Sequence, residues 1–428
     1  AFAQNATIDG IISEFESSAS LTGANGVLAN FDDRADVSGS STDLNGLYSI
    51  RSIEPGTYIF SVSFLGFVTY TDTLTFTSGE HKTISVSLKA DKLNLEEVIV
   101  EQTSGAASIE RGRLRITPMS VSKVPAPVAG GDLVSYLQVL PGVVSLGNRG
   151  GQIFVRGGIP SENMILVDGA LVYKPFHIMS YFSPFPDNLV SSADFYAGGF
   201  NAQYNGRISS VLDIKMRPGN LQEYSASASI SPFLLDFSAE GPIEKGKLSW
   251  IASSKTSLIE ETSPYFLNEE QPLKFGSQFI KITQVEEESR CSGMFLRTYD
   301  RGKVNLEKDE SIKWKNIVAA GRCDGLKDGN FFDVGLNVSH LGNSYDSEGR
   351  SYYSNITQVR SDATVVRYAD KFQYSIGAYW QAEFINFDLV GKVNGITAEE
   401  LTVISTGGFA QLTIPLLKNL QFEPGVVL

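Results

Sequence analysis

The sequence predicts a mainly β protein, and three observations support this fold class. The chain of 428 residues contains 40 glycines, 26 phenylalanines and 17 tyrosines, a composition typical of strands joined by many turns. Apolar and polar residues alternate over short stretches along much of the chain, which is the period of a β-strand. No stretch approaches the ~18 consecutive apolar residues of a membrane-spanning helix.

The charges are distributed unevenly, which predicts three regions with different surroundings. Residues 1–100 contain 13 acidic and 5 basic residues, 102–219 contain 7 acidic and 10 basic, and 220–428 contain 27 acidic and 20 basic. The formal net charge of -13 argues against nucleic acid as a partner. With 3 histidines and 2 cysteines, neither a histidine-rich metal site nor a disulfide scaffold is expected.

Residues 5–92 contain short, closely spaced strand patterns, which predict a small β-sandwich. Asn45-Gly46 is predicted to be a tight hairpin turn, because such turns require positive φ. The region contains the motifs T-D-L-N-G-L-Y-S-I at 42–50, P-G-T-Y at 55–58 and F-L-G-F at 64–67. These motifs resemble the carboxypeptidase-regulatory-like domain, a transthyretin-like sandwich of seven strands. The resemblance implies no peptidase activity, and the region lacks the spacing of a zinc site.

A linker follows at residues 93–101, and its last seven residues combine a β-branched run with flanking charge. They are Leu95, Glu96, Glu97, Val98, Ile99, Val100 and Glu101. Two interpretations are open from these residues: a last strand of the sandwich, or a strand that pairs with the sheet edge of a partner protein.

Residues 102–219 are predicted to form an α+β unit. Residues 131–140 are typical of a short amphipathic helix, with Asp132 as its N-cap and Pro141-Gly142 at its end. Strand patterns with glycine breaks follow. The motifs L-P-G-V at 140–143, F-V-R-G at 154–157, L-V-D-G at 166–169, Y-A-G-G-F at 196–200 and Y-N-G-R-I-S-S-V-L-D-I-K at 204–215 stand in this order. This order resembles the plug domain of TonB-dependent outer-membrane receptors, including the SusC-like group.

The resemblance assigns roles to several residues. It places residues 95–101 where the family has its TonB box, which favours the partner-strand interpretation. The plug-motif residues are Arg156, Gly157, Asp168, Gly169, Gly198, Gly199 and Arg207. Arg156 and Arg207 are expected to face acidic residues of the barrel, because a buried guanidinium needs partners.

The resemblance also places two plug loops, 145–152 and 173–185, at the ligand-facing apex. The candidate ligand-facing residues are Asn148, Arg149, Tyr173, Phe176, His177, Tyr181 and Phe182. The aromatic side chains could stack on a ligand, or they could pack beneath the barrel loops; both interpretations are open.

Residues 220–428 show the alternation of a transmembrane β-barrel. Eleven strands are predicted, joined by short turns near 244–246, 286–289, 327–330 and 417–419 and by longer loops near 259–273, 301–311, 345–353 and 387–400. Lys255, Lys313 and Lys315 are expected to face the lumen. Because a plugged lumen needs about 22 strands, the sequence is expected to contain about half of a 22-stranded barrel and to be incomplete at its end.

The two cysteines are predicted to lie close together. If the fifth and sixth barrel strands form a hairpin centred near residue 307, antiparallel pairing places Cys291 directly opposite Cys323. The oxidising compartment beyond a signal peptide permits a disulfide, and the sequence leaves open whether the bond forms.

No catalytic constellation, cofactor motif or metal site is predicted, so an enzyme is not expected. The resemblance implies a receptor in the outer membrane of a Gram-negative type of cell that imports a ligand when TonB moves the plug. Iron chelates, glycans, peptides and cobalamin all fit as ligands; expected partners are TonB, outer-membrane lipids and, as a further option, a surface lipoprotein. The alternative is an interaction or assembly protein that has this architecture without import. The initial A-F-A is consistent with a cleaved signal peptide.

Overall fold

A computed structural model describes most of the chain and confirms the mainly β fold class. The described residues are 5–34, 37–43, 45–91, 113–124, 131–145, 152–178, 182–266, 271–286, 288–305, 310–347, 349–369, 372–389, 399–417 and 420–428. Within these ranges no helix has the length and apolar character needed to cross a membrane.

The N-terminal strands form a sandwich of two sheets. They are β1 (Ala6–Glu14), β2 (Asn25–Asn30), β3 (Val37–Ser41), β4 (Leu47–Ile53), β5 (Gly56–Ser63), β6 (Tyr70–Phe76), β7 (His81–Thr83) and β8 (Val86–Leu88). One sheet has the order β4-β1-β7, with β8 also paired to β1, and the other has the order β3-β2-β5-β6. The rings of Tyr48 and Phe60 stack between the sheets with their centroids 5.7 Å apart, so the sandwich has a core of its own.

The turn at Asn45-Gly46 differs from the predicted hairpin. Gly46 has the expected positive φ of 77°, and Asp43 Oδ1 accepts hydrogen bonds from the backbone N–H groups of Asn45 and Leu47 at 2.8 and 2.9 Å. However, β3 and β4 lie in different sheets, so the turn crosses from one sheet to the other. The local sequence determines the backbone angle of a turn, but strand pairing depends on distant partners.

An α+β unit follows, which we call the plug. Its elements are β9 (Arg113–Ile116), α1 (Pro118–Ser122), α2 (Leu133–Gln138), β10 (Val143–Ser145), β11 (Ile153–Val155), β12 (Asn163–Val167), β13 (Ala170–Leu171), β14 (Val190–Tyr196) and β15 (Ser210–Met216). The main sheet has the order β13-β12-β15-β14-β9. The predicted helix is present, and Asp132 caps it by accepting a hydrogen bond from Ser135 N at 2.7 Å.

The remaining strands form one large antiparallel sheet, which we call the wall. They are β16 (Ser225–Ile230), β17 (Leu234–Glu244), β18 (Leu248–Ser257), β19 (Leu273–Val285), β20 (Ser289–Asn305), β21 (Glu310–Lys327), β22 (Asn330–Ser347), β23 (Arg350–Ala369), β24 (Phe372–Asp388), β25 (Glu399–Leu417), β26 (Leu420–Phe422) and β27 (Gly425–Val427). A short helix, α3 (Ile259–Phe266), lies between β18 and β19. From β16 to β26, neighbours in sequence are neighbours in the sheet, and β27 pairs with β25. The sheet forms part of a barrel.

The connections of the wall agree with the prediction at one end and in part at the other, where long connections separate β18 from β19 and β24 from β25 as predicted. Two or three residues join the strands at 245–247, 286–288 and 328–329, which define the short-turn end. At the opposite end, the predicted loop near 345–353 is wrong, because β22 and β23 continue to Ser347 and Arg350 and leave two residues between them. The ladder continues beyond the apolar alternation because its hydrogen bonds are made by the backbone, so polar residues can extend it.

The alternation along β21 shows which side chains face the plug. Trp314 and Asn316 are 4% and 1% exposed, whereas Lys313 and Lys315 are exposed on the other face. The prediction that these two lysines face the lumen is therefore wrong, while Lys255 in β18 is buried as expected. Counting alternate positions from the outward-facing Ile317 would have placed both lysines outside.

The two cysteines lie directly opposite each other in β20 and β21. They are joined by a disulfide bond with a Cα–Cα distance of 4.1 Å. The pair is close to the 286–288 connection and therefore near the short-turn end.

The sandwich contacts the short-turn end of the wall. Leu47 packs against Leu326 and Phe331, and Arg290 donates hydrogen bonds to Ser18 O and Ser20 Oγ, both at 3.1 Å.

Candidate functional site

The contact between the plug and the wall contains several buried charged residues, and it begins with an apolar core. Ile214 and Leu137 of the plug belong to the same buried cluster as Ile251, Leu296 and Val318 of the wall. The plug therefore has no separate core on this side. Moving the whole plug away from the wall would expose this apolar surface to water, which costs a free energy of roughly 25 cal/mol per Å² exposed.

The L-V-D-G motif forms a tight turn that binds a lysine of the wall. Asp168 and Gly169 have φ of 47° and 84° and connect β12 to β13. Asp168 Oδ1 accepts a hydrogen bond from Met216 N at 3.0 Å, and Asp168 Oδ2 lies 2.8 Å from Lys281 Nζ. Lys281 also donates to Met216 O at 2.7 Å, so the ammonium is buried with a carboxylate and a carbonyl as partners.

Gly169 is favoured at this turn by its positive φ, and its lack of a side chain also leaves space for a cation of the wall. A side chain at position 169 would overlap the guanidinium of Arg322 in β21. That guanidinium donates to Asp362 at 3.2 Å, and its Nε lies 2.6 Å from Asp333 Oδ1 without hydrogen-bonding alignment. The L-V-D-G motif thus supplies the Asp168 carboxylate that pairs with Lys281 and, at Gly169, the space for the Arg322 guanidinium.

A second lysine of the wall holds the segment that precedes β14. Lys255 Nζ lies 3.0 Å from Asp187 Oδ2 and donates to the carbonyls of Ser183 and Phe185 at 3.3 and 3.1 Å. Asp187 Oδ1 in turn accepts a hydrogen bond from the first helical N–H of α2, at Leu133. Asp132, the N-cap of α2, is buried beside Asp187. Its burial is the larger cause, and the Asp187 carboxylate the second cause, of a raised pKa.

The aromatic plug loop lies against the wall. His177 Nδ1 is 3.1 Å from Asp300 Oδ2, and Ile178 N donates to Asp300 Oδ1 at 2.7 Å. Lys174 Nζ lies 4.2 Å from the centroid of the Trp314 ring. Burial lowers the pKa of Lys174 to about 8.

This burial corrects three of the candidate ligand-facing residues. Phe176, His177 and Phe182 are 8%, 0% and 2% exposed, and the Phe182 and Phe275 rings are 5.3 Å apart. They therefore follow the second interpretation, packing against the barrel. Tyr173 is half-buried, and Asn148, Arg149 and Tyr181 lie outside the described residues.

The two plug arginines also differ from the expectation. Arg156 has φ +47° and an exposed side chain, and in the described ranges its guanidinium has no carboxylate partner. Arg207 donates to the carbonyl of its neighbour Gly206 at 2.9 Å. Gly198 and Gly199 have φ of 116° and 68°, so the Y-A-G-G-F motif forms a turn that only glycine adopts without strain.

The charge pattern at this contact is mixed. Arg217, which directly follows β15, pairs with Glu240 of the wall at 2.6 Å and has the predicted signs, but two other pairs are reversed. Lysines of the wall meet aspartates of the plug, at Lys255 with Asp187 and at Lys281 with Asp168. The net charge of a region does not indicate which of its charges face a neighbour. The signal that identified Lys255, a lysine at a plug-facing position of an alternating strand, was missed at Lys281.

All three regions meet around a small polar cavity at the short-turn end. Its volume is about 60 Å³, and its lining includes Ser20 of the sandwich, Asp168 of the plug, and Lys281, Arg290 and Arg322 of the wall. A cavity of this size and polarity has room for water. The residues that the structure describes include no cluster suited to a metal ion.

Comparison with known proteins agrees with this architecture. Residues 8–100 match the CarboxypepD_reg-like domain family. Similar solved structures include the siderophore receptor PirA from Acinetobacter baumannii, with 13% identity and a TM-score of 0.56, covering 74% of this chain and 56% of that one. No curated protein matches the chain.

Two further receptors have the same likeness. A variant of the ferric enterobactin receptor PfeA from Pseudomonas aeruginosa has 15% identity and a TM-score of 0.55, covering 74% of this chain and 57% of that one. The iron transporter FrpB from Neisseria meningitidis has 13% identity and a TM-score of 0.51, covering 74% and 60%. The chain thus spans little more than half the length of these structures.

The fold is one in which a plug domain packs against the inner face of a β-barrel, as in the solved structures named here. More particularly, the chain has the fold of a TonB-dependent receptor that carries a CarboxypepD_reg-like domain at its N-terminal side. The solved structures named here are receptors and a transporter, not enzymes.

Proposed function

We propose that this protein is a TonB-dependent receptor of the outer membrane that imports a ligand by energy-coupled movement of the plug. The observation that carries the proposal is the plug–wall contact, which combines a shared apolar core with buried lysine–aspartate pairs. Replacing a buried ion pair by apolar residues often changes stability little, whereas removing one partner alone is strongly destabilising. These pairs can therefore hold the plug in register and still open when water enters.

The proposal divides the chain into four parts: 5–92, 93–101, 102–219 and 220–428. In it, residues 95–101 are the TonB box, although they lie outside the described residues. The first described plug strand is Arg113–Ile116, and the sandwich that precedes the linker contacts the short-turn end of the wall. This arrangement supports a linker that starts at the periplasmic side, where TonB would reach it.

An iron chelate is the first ligand class to test. Its support is the names of the similar solved proteins, which are a siderophore receptor, a ferric enterobactin receptor and an iron transporter. Glycans, peptides and cobalamin are the next classes, and a surface lipoprotein is a further partner to look for.

The experiment is capture of the full-length protein by the purified periplasmic domain of TonB. Pairing by strand addition uses backbone hydrogen bonds, and proline removes a donor and restricts the backbone. We expect Val98→Pro to abolish capture and the uptake of radio-iron-labelled ferric siderophores, while Val98→Thr, which retains the backbone donor and β-branching, preserves both. Equal capture of the two variants would contradict the TonB box and favour an assembly protein without import.

A further inference from the structure

A groove lies on the face of the wall that points away from the plug. Trp314 and Asn316 contact the plug loop through Lys174, so the alternate position Lys315 faces outward. In the ladder, Lys315 lies directly opposite Tyr299 and Gly342, and Gly342 lies opposite Asn355. These four residues from four adjacent strands therefore share the outer face.

The groove is formed by the absence of a side chain at Gly342. A Cβ at this position would lie 3.3 Å from Asn355 Oδ1 and 3.4 Å from His340 Nε2. The resulting cavity has a volume of about 460 Å³ and is flanked by Tyr299, Tyr353 and Lys315. This volume is within the range of sites that bind small molecules, ~300–1,000 Å³.

The groove carries uncompensated positive charge. Arg301 and Lys313 line it, and each is paired with a carboxylate: Arg301 with Glu260 and Lys313 with Asp346, both at 2.9 Å. Lys315 has no carboxylate within ion-pair distance in the part of the chain that the structure describes. Asp300 also borders the cavity, but its carboxylate is held on the plug side by His177 and Ile178.

An exposed apolar band begins immediately beside the groove. On the same face of β22, Val338, Leu336, Val334 and Phe332 follow in turn, with exposed fractions between 38% and 57%. On β24 the outward residues include Trp380 and Phe384, at 41% and 49%. In a membrane barrel such a band contacts lipid tails, and the residues directly beyond it are at the level of the head groups.

We propose that this groove binds the phosphate-bearing head group of a lipid of the outer leaflet. Lys315 contacts the phosphate, the carboxylate-paired Lys313 and Arg301 lie at the rim, and the acyl chains lie along the band from Val338 to Phe332. The occupant is an anionic lipid because the groove combines a free ammonium with an apolar continuation, which inorganic phosphate could not use. The inference rests on the proposed position of the barrel in the outer membrane.

The test measures binding of diphosphorylated lipid A, and of its dephosphorylated form, to the full-length protein in detergent by native mass spectrometry. Reversing the charge of the one ammonium without a carboxylate partner replaces attraction of the phosphate by repulsion, so we expect Lys315→Glu to weaken lipid A binding at least ~10-fold. Gly342→Val, which places a branched side chain in the groove beside Lys315 without changing charge, is expected to have a similar effect. Lys245→Glu makes the same charge change at the short-turn end and is expected to leave binding within ~2-fold.

Several results would overturn the proposal: unchanged binding in Lys315→Glu, equal losses in Lys245→Glu, or equal binding of the dephosphorylated lipid. Displacement of lipid A by millimolar inorganic phosphate would show a site for free anions instead. If Gly342→Val does not fold, the Lys315→Glu and Lys245→Glu pair still decides the outcome. TonB capture does not enter this measurement, so a failure of the import proposal and a failure of the lipid site are distinguishable.

Discussion

The sandwich and the plug are both small β-rich units that contact the wall, but they do so in different ways. The sandwich closes its own core around residues such as Phe60 and touches the wall at one end, for example through Leu47 and Phe331. The plug shares its core with the wall, where Leu296 and Val318 belong to the same cluster as plug residues.

The buried charges follow the same division. Asp168 and Asp187 of the plug are paired by Lys281 and Lys255 of the wall, whereas the ion pair of Asp9 in the sandwich is with His81 of the same unit. The sandwich is therefore a unit with its own core that is attached to the wall. The plug and the wall, in contrast, form one folded unit. A force on the plug would therefore have to break its ion pairs and apolar contacts with the wall.

The largest expected effect comes from removing one partner of a buried pair. Lys281→Met leaves Asp168 buried and unpaired, so we expect a loss of ~3–5 kcal/mol in the free energy of local opening of the plug. Hydrogen exchange of the β15 amides in the full-length protein measures it. Lys245→Met, in the exposed turn 245–247, is the control and should stay within ~0.5 kcal/mol. Unchanged exchange in Lys281→Met would contradict the assigned role of the pair.

A core substitution in each region tests whether the two units are separate. Phe60→Ala should lower the stability of the sandwich by ~3–5 kcal/mol because it leaves a cavity, without changing exchange in the plug. Leu296→Ala should increase exchange in both β15 and the wall, since its side chain belongs to both. If Phe60→Ala accelerated exchange in the plug equally, the separation argued above would be wrong.

Two glycines with nearly equal backbone angles give a matched comparison. Gly66 in the sandwich and Gly169 in the plug have φ of 83° and 84°. A side chain at 66 meets open space, and one at 169 meets Arg322. We expect Gly66→Ala to cost ~1–2 kcal/mol from the backbone angle alone, and Gly169→Ala to cost at least ~1 kcal/mol more. Equal losses in thermal stability would show that the guanidinium moves aside without cost.

The smallest expected effect is a dependence on pH. Because the pKa of Lys174 is lowered to about 8, its ammonium should lose its proton, and its contact with the Trp314 ring, near that pH. In the unfolded chain Lys174 has the ordinary lysine pKa of ~10.4. Between about pH 8 and that value the unfolded state therefore binds more protons than the folded state, so the free energy of unfolding increases as pH rises through this interval. Tryptophan emission should change with a midpoint near 8 and not change in Lys174→Met; a midpoint above 10 in the unsubstituted protein would contradict the assigned burial.

Most strands of the wall could be predicted from sequence because a pleated strand places alternate residues on opposite faces. The apolar residues change from even positions such as Ala228 and Ile230 to odd positions such as Leu235 across Pro232, which predicts the first hairpin. In the structure this hairpin pairs Ile230 with Leu235. The ends of the long strands could not be predicted, because β22 and β23 continue through polar residues such as Asn343 and Ser354. Backbone pairing there no longer depends on an apolar layer.

The candidate site was predicted only in part. Asp168 and Gly169 stand in a recognisable motif, but their partners Lys281 and Arg322 are more than a hundred residues away in the sequence and meet them only in the folded chain. Arg156 was expected to be buried and is exposed, because a motif shows that a residue type occurs at a position without showing its environment.

The most direct test of the attachment between plug and wall is a double-mutant cycle on Asp168 and Lys281. Asp168→Asn, Lys281→Met and the double variant are compared by the free energy of opening of β15, measured by hydrogen exchange in the full-length protein. The plug–wall pair predicts a coupling of ~1.5–3 kcal/mol, because the double variant leaves no unpaired buried charge. Additive effects, with a coupling below ~0.5 kcal/mol, would contradict the claim that this pair holds the plug to the wall.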